Sequence, residues 1–129
     1  MTHDEIIKYS LGKKGAYIDY PFGPESVAVK VKALSQEKGA IFVLAFFLRG
    51  EPKVTLRCTP QSAEFFRSIY AGSVVCGYHC PPVQQPHFNT VSLDGSIPNG
   101  EILRMIDHSY EVVIAKMPKK IQNEIHDIP

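Results

Sequence analysis

Tryptophan is absent from the 129 residues, and cysteine occurs only three times, at Cys58, Cys76 and Cys80. A small, odd number of thiols excludes the disulfide-stapled scaffolds of small secreted domains, which use even counts at close spacing. Long hydrophobic runs are missing as well. The most apolar stretch, Ala40–Leu48, is nine residues, less than half of what a helix needs to cross a bilayer. Neither sign of charge dominates: 14 Lys and Arg face 13 Asp and Glu, for a net charge of +1. A polybasic tail and a uniformly acidic surface are thereby excluded, although a local basic patch is not. No glycine-rich phosphate loop, dinucleotide fingerprint or close pair of catalytic carboxylates is present. The first residues, Met1-Thr2-His3-Asp4-Glu5, are acidic where a secretory leader is basic, so with its reduced thiols the chain is expected to be cytoplasmic.

The composition that remains is 44% hydrophobic and 21% charged, ordinary values for a globular domain. The length suits one domain, 1–129, which hides roughly two-thirds of the surface of its unfolded chain. Thr2 and Glu5 have the spacing of a capping box, and Ile6, Ile7 and Leu11 follow at helical intervals before Gly12 and Gly15. Tyr17 to Pro24 reads as irregular, because two prolines and a glycine interrupt it, with Tyr17, Tyr20 and Phe22 expected to plug one end of the fold. Val27, Val29 and Val31 alternate with Ala28, Lys30 and Lys32, the pattern of a half-buried strand. Ala40–Leu48 reads as a second strand and Pro52–Cys58 as a third.

Thr59-Pro60 opens a helix to about Tyr70. Ser73–Cys80 has room for a short strand, and Pro81, Pro82 and Pro86 stiffen the loop after it. His87–Leu93 reads as a strand that ends at Asp94-Gly95. Ser96 then has the place of an N-cap for the longest helix, striped by Ile102, Ile106, Tyr110, Val113 and Met117. Pro118 breaks that helix, and Lys119–Asp127 continues as a short one. The strand connections are too short for parallel crossovers. An α+β, two-layer sandwich results, with helices packed on one face of an antiparallel sheet and the other face open.

Three blocks of the sequence resemble the MmcQ/YjbR family. They are Gly15-Ala16-Tyr17 running on to Asp19-Tyr20-Pro21-Phe22-Gly23-Pro24; Gly77-Tyr78-His79 with His87-Phe88-Asn89-Thr90-Val91; and Leu93-Asp94-Gly95-Ser96-Ile97-Pro98 leading to Ile106-Asp107-His108-Ser109-Tyr110-Glu111. The resemblance covers nearly the whole chain and implies a CyaY-like (frataxin-like) fold and the "double-wing" DNA-binding role predicted for the family. Two positions depart from the family pattern. The link Cys80–Pro86 is longer, proline-rich and lacks the usual Asn-Lys, and Phe88 stands where Trp is usual. Frataxin-like iron chemistry is not expected, since Asp4 and Glu5 are followed by Lys8, Lys13 and Lys14 rather than by an acidic ridge.

With the valines inward, alternation sends Lys30, Lys32, Lys53, Thr55, Arg57, Phe88, Thr90 and Ser92 outward. Cations beside an aromatic on an open sheet are the ingredients for gripping phosphates while stacking a base, and Lys30, Lys32, Lys53, Arg57, Phe88 and Thr90 form the candidate nucleic-acid surface. Lysines on an exposed strand face also serve solubility alone. A second candidate is a polar pocket of His79, His87 and Asn89, suited to a phosphate, a carboxylate or a proton transfer. Cys76, His79, Cys80 and His87 lack the spacing of a tetrahedral metal site, and Asp107-His108-Ser109 cannot act as a triad, because neighbours on a helix point about 100° apart. The expected class is a non-enzymatic DNA-binding domain, a monomer or weak dimer, without cofactor, metal or membrane. A small-molecule or enzymatic role at the polar pocket, or a protein-interaction surface, are the alternatives.

Overall fold

Hydrophobic alternation of period two in the strands and period 3.6 in the helices meets in one core. A computed structural model describes residues 1–129. In chain order the elements are α1 (His3–Leu11), β1 (Ala16–Asp19), β2 (Val27–Val31), β3 (Ala40–Leu48), β4 (Glu51–Arg57), α2 (Pro60–Ile69), β5 (Val74–Cys76), β6 (Phe88–Ser92), α3 (Asn99–Ala115) and α4 (Lys119–His126). The six strands form one antiparallel sheet in the order β1-β2-β3-β4-β6-β5. Val29, Val43, Val54 and Val91 point to the inner face and meet Ile6 of α1, Phe66 of α2, Ile102 and Ile106 of α3 and Ile125 of α4. The expected α+β architecture is the one observed.

Local chemistry explains the element ends. Thr2 and Glu5 close a capping box on α1, and Thr59 does the same for α2 with Ser62, ahead of Pro60 at the first turn. Two expectations fail. Ala16–Asp19 is a regular edge strand paired with β2, not irregular chain. An edge strand needs partners on one side only, so four residues before Pro21 suffice. Ser96 does not cap α3, whose N-cap is Pro98 with no side-chain bond. Its hydroxyl instead donates to Asp94 Oδ1 at 2.6 Å, which fixes the Asp94-Gly95 turn.

The sheet is broken at one place. Register slips by one residue in the β2–β3 pairing between Val29 and Lys30, and the β3–β4 ladder stops at Val43–Leu56. Phe42 is the extra residue of this bulge, and its ring turns to the helix layer, edge-on to Tyr110 at 5.2 Å. Where the next rung would be, Ser109 of α3 intervenes. The Arg57 N–H donates to Ser109 Oγ at 2.8 Å, and the Ser109 hydroxyl donates to the Phe42 carbonyl at 2.6 Å. A buried side chain thus satisfies two backbone groups that the splayed strands leave without each other.

The neighbours of Ser109 tie the same helix elsewhere. Asp107 accepts from Tyr9 at 2.6 Å and pairs with Lys13 at 2.7 Å, both from the α1 end of the chain. Burial pushes the Asp107 carboxyl up, but the bonds from Lys13 and Tyr9 outweigh it and leave the carboxyl below its ordinary value. His108 Nε2 lies 2.7 Å from Ser62 Oγ of α2. The three adjacent residues therefore reach three different elements, as their angular spacing requires.

Two outcomes are expected. Ser109→Ala strands the Phe42 carbonyl and the Arg57 N–H, and urea unfolding should show a loss of about 2–4 kcal/mol. Asp107, Asp19, Asp94 and Glu5 all have carboxyls held below their ordinary values by hydrogen bonds or paired lysines. The folded state then binds fewer protons than the unfolded one near the ordinary carboxyl range. This contribution to stability is complete above about pH 5 and is lost as pH falls through the folded values. Asp107→Asn should flatten that acid limb of the stability profile measured by urea unfolding.

Candidate functional site

The outer face of the sheet is built by the residues that alternate with the core. Register sets Lys53 opposite Ser92, Thr55 opposite Thr90 and Arg57 opposite Phe88. The cross-strand pairs are in contact: Lys53 Nζ donates to Ser92 Oγ at 2.8 Å, the Thr55 and Thr90 hydroxyls lie 2.8 Å apart, and the Arg57 guanidinium stacks 4.8 Å from the Phe88 ring centroid. On β3 the outward positions are Ile41, Leu44 and Phe46, opposite Lys30, Thr55 and Lys53. An apolar strand therefore separates Lys30 from the cations of β4.

The cations differ in what they already hold. Lys30 pairs with Asp19 at 2.7 Å, and Lys32 lies over the Tyr17 ring at 5.4 Å. Lys53 has Glu51 at 3.6 Å besides Ser92. Arg57 has no carboxylate partner, and its Nε is enclosed without any hydrogen-bond acceptor in the protein. Such an orphaned charged donor is uncommon in a folded interior.

Arg57 lines a cavity of about 730 Å³ on this face. Its floor is Leu44, Phe46 and Thr55 of the sheet, and Phe88 forms a wall beside Arg57. The segment after β5 folds over as a second wall, with Tyr78 stacked on Phe46 at 5.7 Å and 19°. Gly77 makes this cover possible, since a Cβ there would sit 2.5 Å from Cys80 Sγ and 2.8 Å from Phe88 Cβ. Tyr78 N–H donates to Thr90 Oγ1 at 2.9 Å, and His79 holds a left-handed φ of 61° at the rim. Phe22 guards the mouth with 68% exposure, so Phe22 and likewise Tyr20 do not act as the buried plug expected from sequence. Val113 and Lys116 arrive from α3 at the end of the sheet where β3 begins and β4 ends.

The candidate nucleic-acid residues Lys30, Lys32, Lys53, Arg57, Phe88 and Thr90 thus share one face, but only Arg57 and Phe88 of the six line the cavity, and Thr90 is buried beneath Tyr78. The polar trio does not assemble. Alternation in β6 sends Phe88 and Thr90 outward and Asn89 inward, where it is 3% exposed. There Asn89 Oδ1 accepts from Arg67 Nε at 2.6 Å, and Asn89 Nδ2 donates to the Ala63 carbonyl at 3.3 Å. His79 stands on the other side of the sheet. His87 ends the 3-10 turn Gln85–His87, its carbonyl accepting the Cys58 N–H at 2.8 Å. No three His, Cys, Asp or Glu side chains converge in a metal-binding arrangement. Burial pushes the Cys58 thiol up to about 11, and burial with the nearby Cys76 raises Cys80, so these sulfurs stay protonated.

Sequence reasoning missed the β3 positions Leu44 and Phe46, and with them Tyr78, Lys116 and Arg67. The β3 signal was available: a strand apolar on both faces is covered on both faces or holds a ligand. Arg67 had none. From α2 it binds Asn89 and also donates through Nη2 to the carbonyls of Gln85 (2.6 Å) and Phe88 (2.8 Å), and so pins the proline-rich link and the start of β6.

An antiparallel α+β sandwich with a cavity on its outer face defines the class, and similarity places it in a family. The YjbR family model matches residues 11–112, and the chain belongs to that family. It is 27% identical over 120 residues to the uncharacterized protein YjbR of Escherichia coli K12, covering 93% of each chain. To the uncharacterized protein YbdF of Escherichia coli O157:H7 it is 29% identical over 123 residues, 95% of this chain and 93% of that one. Among solved structures, the Deinococcus radiodurans protein DR2400, with domain DUF419, superposes with a TM-score of 0.85 at 26% identity, over 99% of this chain and 89% of that one. A Pseudomonas syringae protein shares the fold at a TM-score of 0.69 and 18% identity, over 88% and 99% of the two chains. No helix is long and apolar enough to cross a membrane.

Two substitutions should separate wall from anchor. Phe88→Ala removes a half-buried ring outside the core and should cost under roughly 1.5 kcal/mol in urea unfolding. Arg67→Ala leaves Asn89 and two backbone carbonyls without their donor and should cost more, about 2–4 kcal/mol.

Proposed function

We propose that this YjbR-family chain is a binding module whose site is the outer-face cavity, and that its ligand is a small organic molecule with a flat, apolar body. The observation that carries this is the cavity itself: about 730 Å³, walled by Tyr78 and Phe88 and floored by Leu44 and Phe46 of the apolar middle strand. That volume and lining are those of small-molecule sites generally. The reading also accounts for the left-handed His79 at the rim, since backbone strain concentrates at ligand clamps.

A second reading, DNA binding across the same face, is favoured by the shared orientation of Lys30, Lys32, Lys53 and Arg57. The carboxylates already paired with Lys30 and Lys53 count against it. Four free phosphate contacts would give a salt slope of roughly −3.6, whereas Arg57 and Lys32, the two without a carboxylate partner, give roughly −1.8. Binding of that kind would be weak at cellular ionic strength.

The test is an amide-resolved NMR titration of the full chain with 2-naphthol, an uncharged planar probe, and separately with a short single-stranded DNA at about 50 mM salt, where phosphate contacts are strong. Naphthol shifts confined to Leu44, Thr55, Arg57, Tyr78 and Phe88 are expected. Absence of naphthol shifts there defeats the cavity reading. DNA-induced shifts spanning Lys30, Lys32 and Lys53, with a steep salt dependence, would put the DNA reading in its place.

A further inference from the structure

Charge is distributed over the cavity in a way that the whole chain does not predict. The protein is nearly neutral, with 14 basic and 13 acidic residues, yet none of the 16 residues lining the cavity is Asp or Glu. Two permanent cations, Arg57 and Lys116, are among them, with His79 at the rim. Neither Arg57 nor Lys116 takes part in an ion pair. Of the other outward cations, Lys30 faces Asp19 and Lys53 faces Glu51, while Lys32 lies over the Tyr17 ring and outside the cavity lining. The carboxylates of this face stop where the cavity begins.

Arg57 is also prepared in the manner of an anion anchor. Stacking on Phe88 fixes the guanidinium plane, and its backbone N–H is pinned by Ser109. Its enclosed Nε has no acceptor. A guanidinium presents paired N–H donors that match the two oxygens of a carboxylate or phosphoryl group. Desolvating a cation beside apolar walls without a counter-charge is unfavourable, and an anionic ligand group relieves that cost in a way a neutral one does not.

Resting on the cavity reading above, we infer that the ligand is an anion: a planar aromatic body carrying one carboxylate or phosphoryl group, with the anionic end at Arg57 and Lys116 and the ring between Phe88 and Tyr78. The aromatic body follows from the walls, and the anionic end from two cations with no carboxylate. Carboxylate and phosphoryl share the recognition chemistry, so both are tested.

The experiment is calorimetric titration of the full chain with naphthalene-2-carboxylate, its isosteric neutral amide naphthalene-2-carboxamide, and 2-naphthyl phosphate. At least one anion is expected to bind about tenfold or more tightly than the amide, the ratio that one charge-assisted hydrogen bond supplies. Arg57→Gln should collapse that ratio towards one while the amide's Kd stays within about twofold. Lys116→Gln, at an exposed position that leaves the fold intact, should narrow it in part and should weaken as salt rises. Circular dichroism on each variant separates lost binding from lost fold. Equal Kd values for amide and anions overturn the anionic assignment and leave the cavity reading standing. Tighter binding of the anions that persists unchanged in both variants overturns it too, since the charge would then be held elsewhere. Failure of all three compounds to bind overturns the inference, and the 2-naphthol titration decides independently whether the cavity reading falls with it.

Discussion

The hydroxyl of Ser109 stands where a rung of the sheet is missing, between the Phe42 carbonyl and the Arg57 N–H. Both neighbours of that rung matter to the rest of the molecule. Because the bulge at Phe42 is satisfied from the helix layer, β3 can turn the Phe42 ring inward while Ile41 and Leu44 stay outward. Because the Arg57 backbone is held from behind, its side chain is free to lie across Phe88 on the opposite face. A single side chain in the core thereby sets the geometry of the cavity floor at the end where α3 reaches it. An Ala there would leave two buried backbone groups unpaired, and a larger residue would have to push the two layers apart.

The same stretch of α3 shows how a helix distributes its work. Asp107, His108 and Ser109 look like a catalytic group when read as a string, but turns of about 100° direct them to α1, α2 and the sheet. Arg67 of α2 performs the matching task at the far side of the cavity, holding the link Gln85–Phe88 by its carbonyls. The link departs from the family pattern in length and composition, yet Phe88 is delivered to its place beside Arg57. Anchoring through backbone carbonyls explains this, since it does not depend on which side chains the link carries.

Much of the fold was legible because binary alternation is a local property. In Val27–Val31 and Glu51–Arg57 the large apolar residues alternate with small or polar ones, in Phe88–Ser92 Val91 sets the inner face, and the outward residues are the ones expected. β1 was not legible: four residues between a glycine and a proline carry too little pattern, and only pairing with β2 makes them a strand. Ser96 had the composition of a cap, but the turn at Asp94 took its hydroxyl. The polar trio failed for a different reason. His79, His87 and Asn89 were grouped through the blocks that resemble the family, while the pleat separates Asn89 from Phe88 and Thr90 by the thickness of the sheet. The cavity itself was hidden because β3 has no polar face to mark, and because its cover, Tyr78, comes from a turn whose direction rests on Gly77 meeting Cys80 and Phe88.

Counting charges along strands overstates a basic surface when carboxylates lie on the neighbouring strand or beside the turn. Asp19 lies on the strand neighbouring that of Lys30, and Glu51 is the first residue of β4, two before Lys53. An alternation argument made one strand at a time misses the former, and one begun at Pro52 misses the latter. The pairs are partly exposed and contribute little stability singly, but they remove the lysines from the field that a polyanion would meet. Arg57 and Lys116 have no such partner, and no acid lies among the residues that line the cavity with them. The Arg57 charge, partly enclosed beside the Phe88 ring, is screened less than one on a solvated face. The outer face is for that reason better matched to a compact anion seated among aromatic rings than to an extended phosphate chain lying across the sheet.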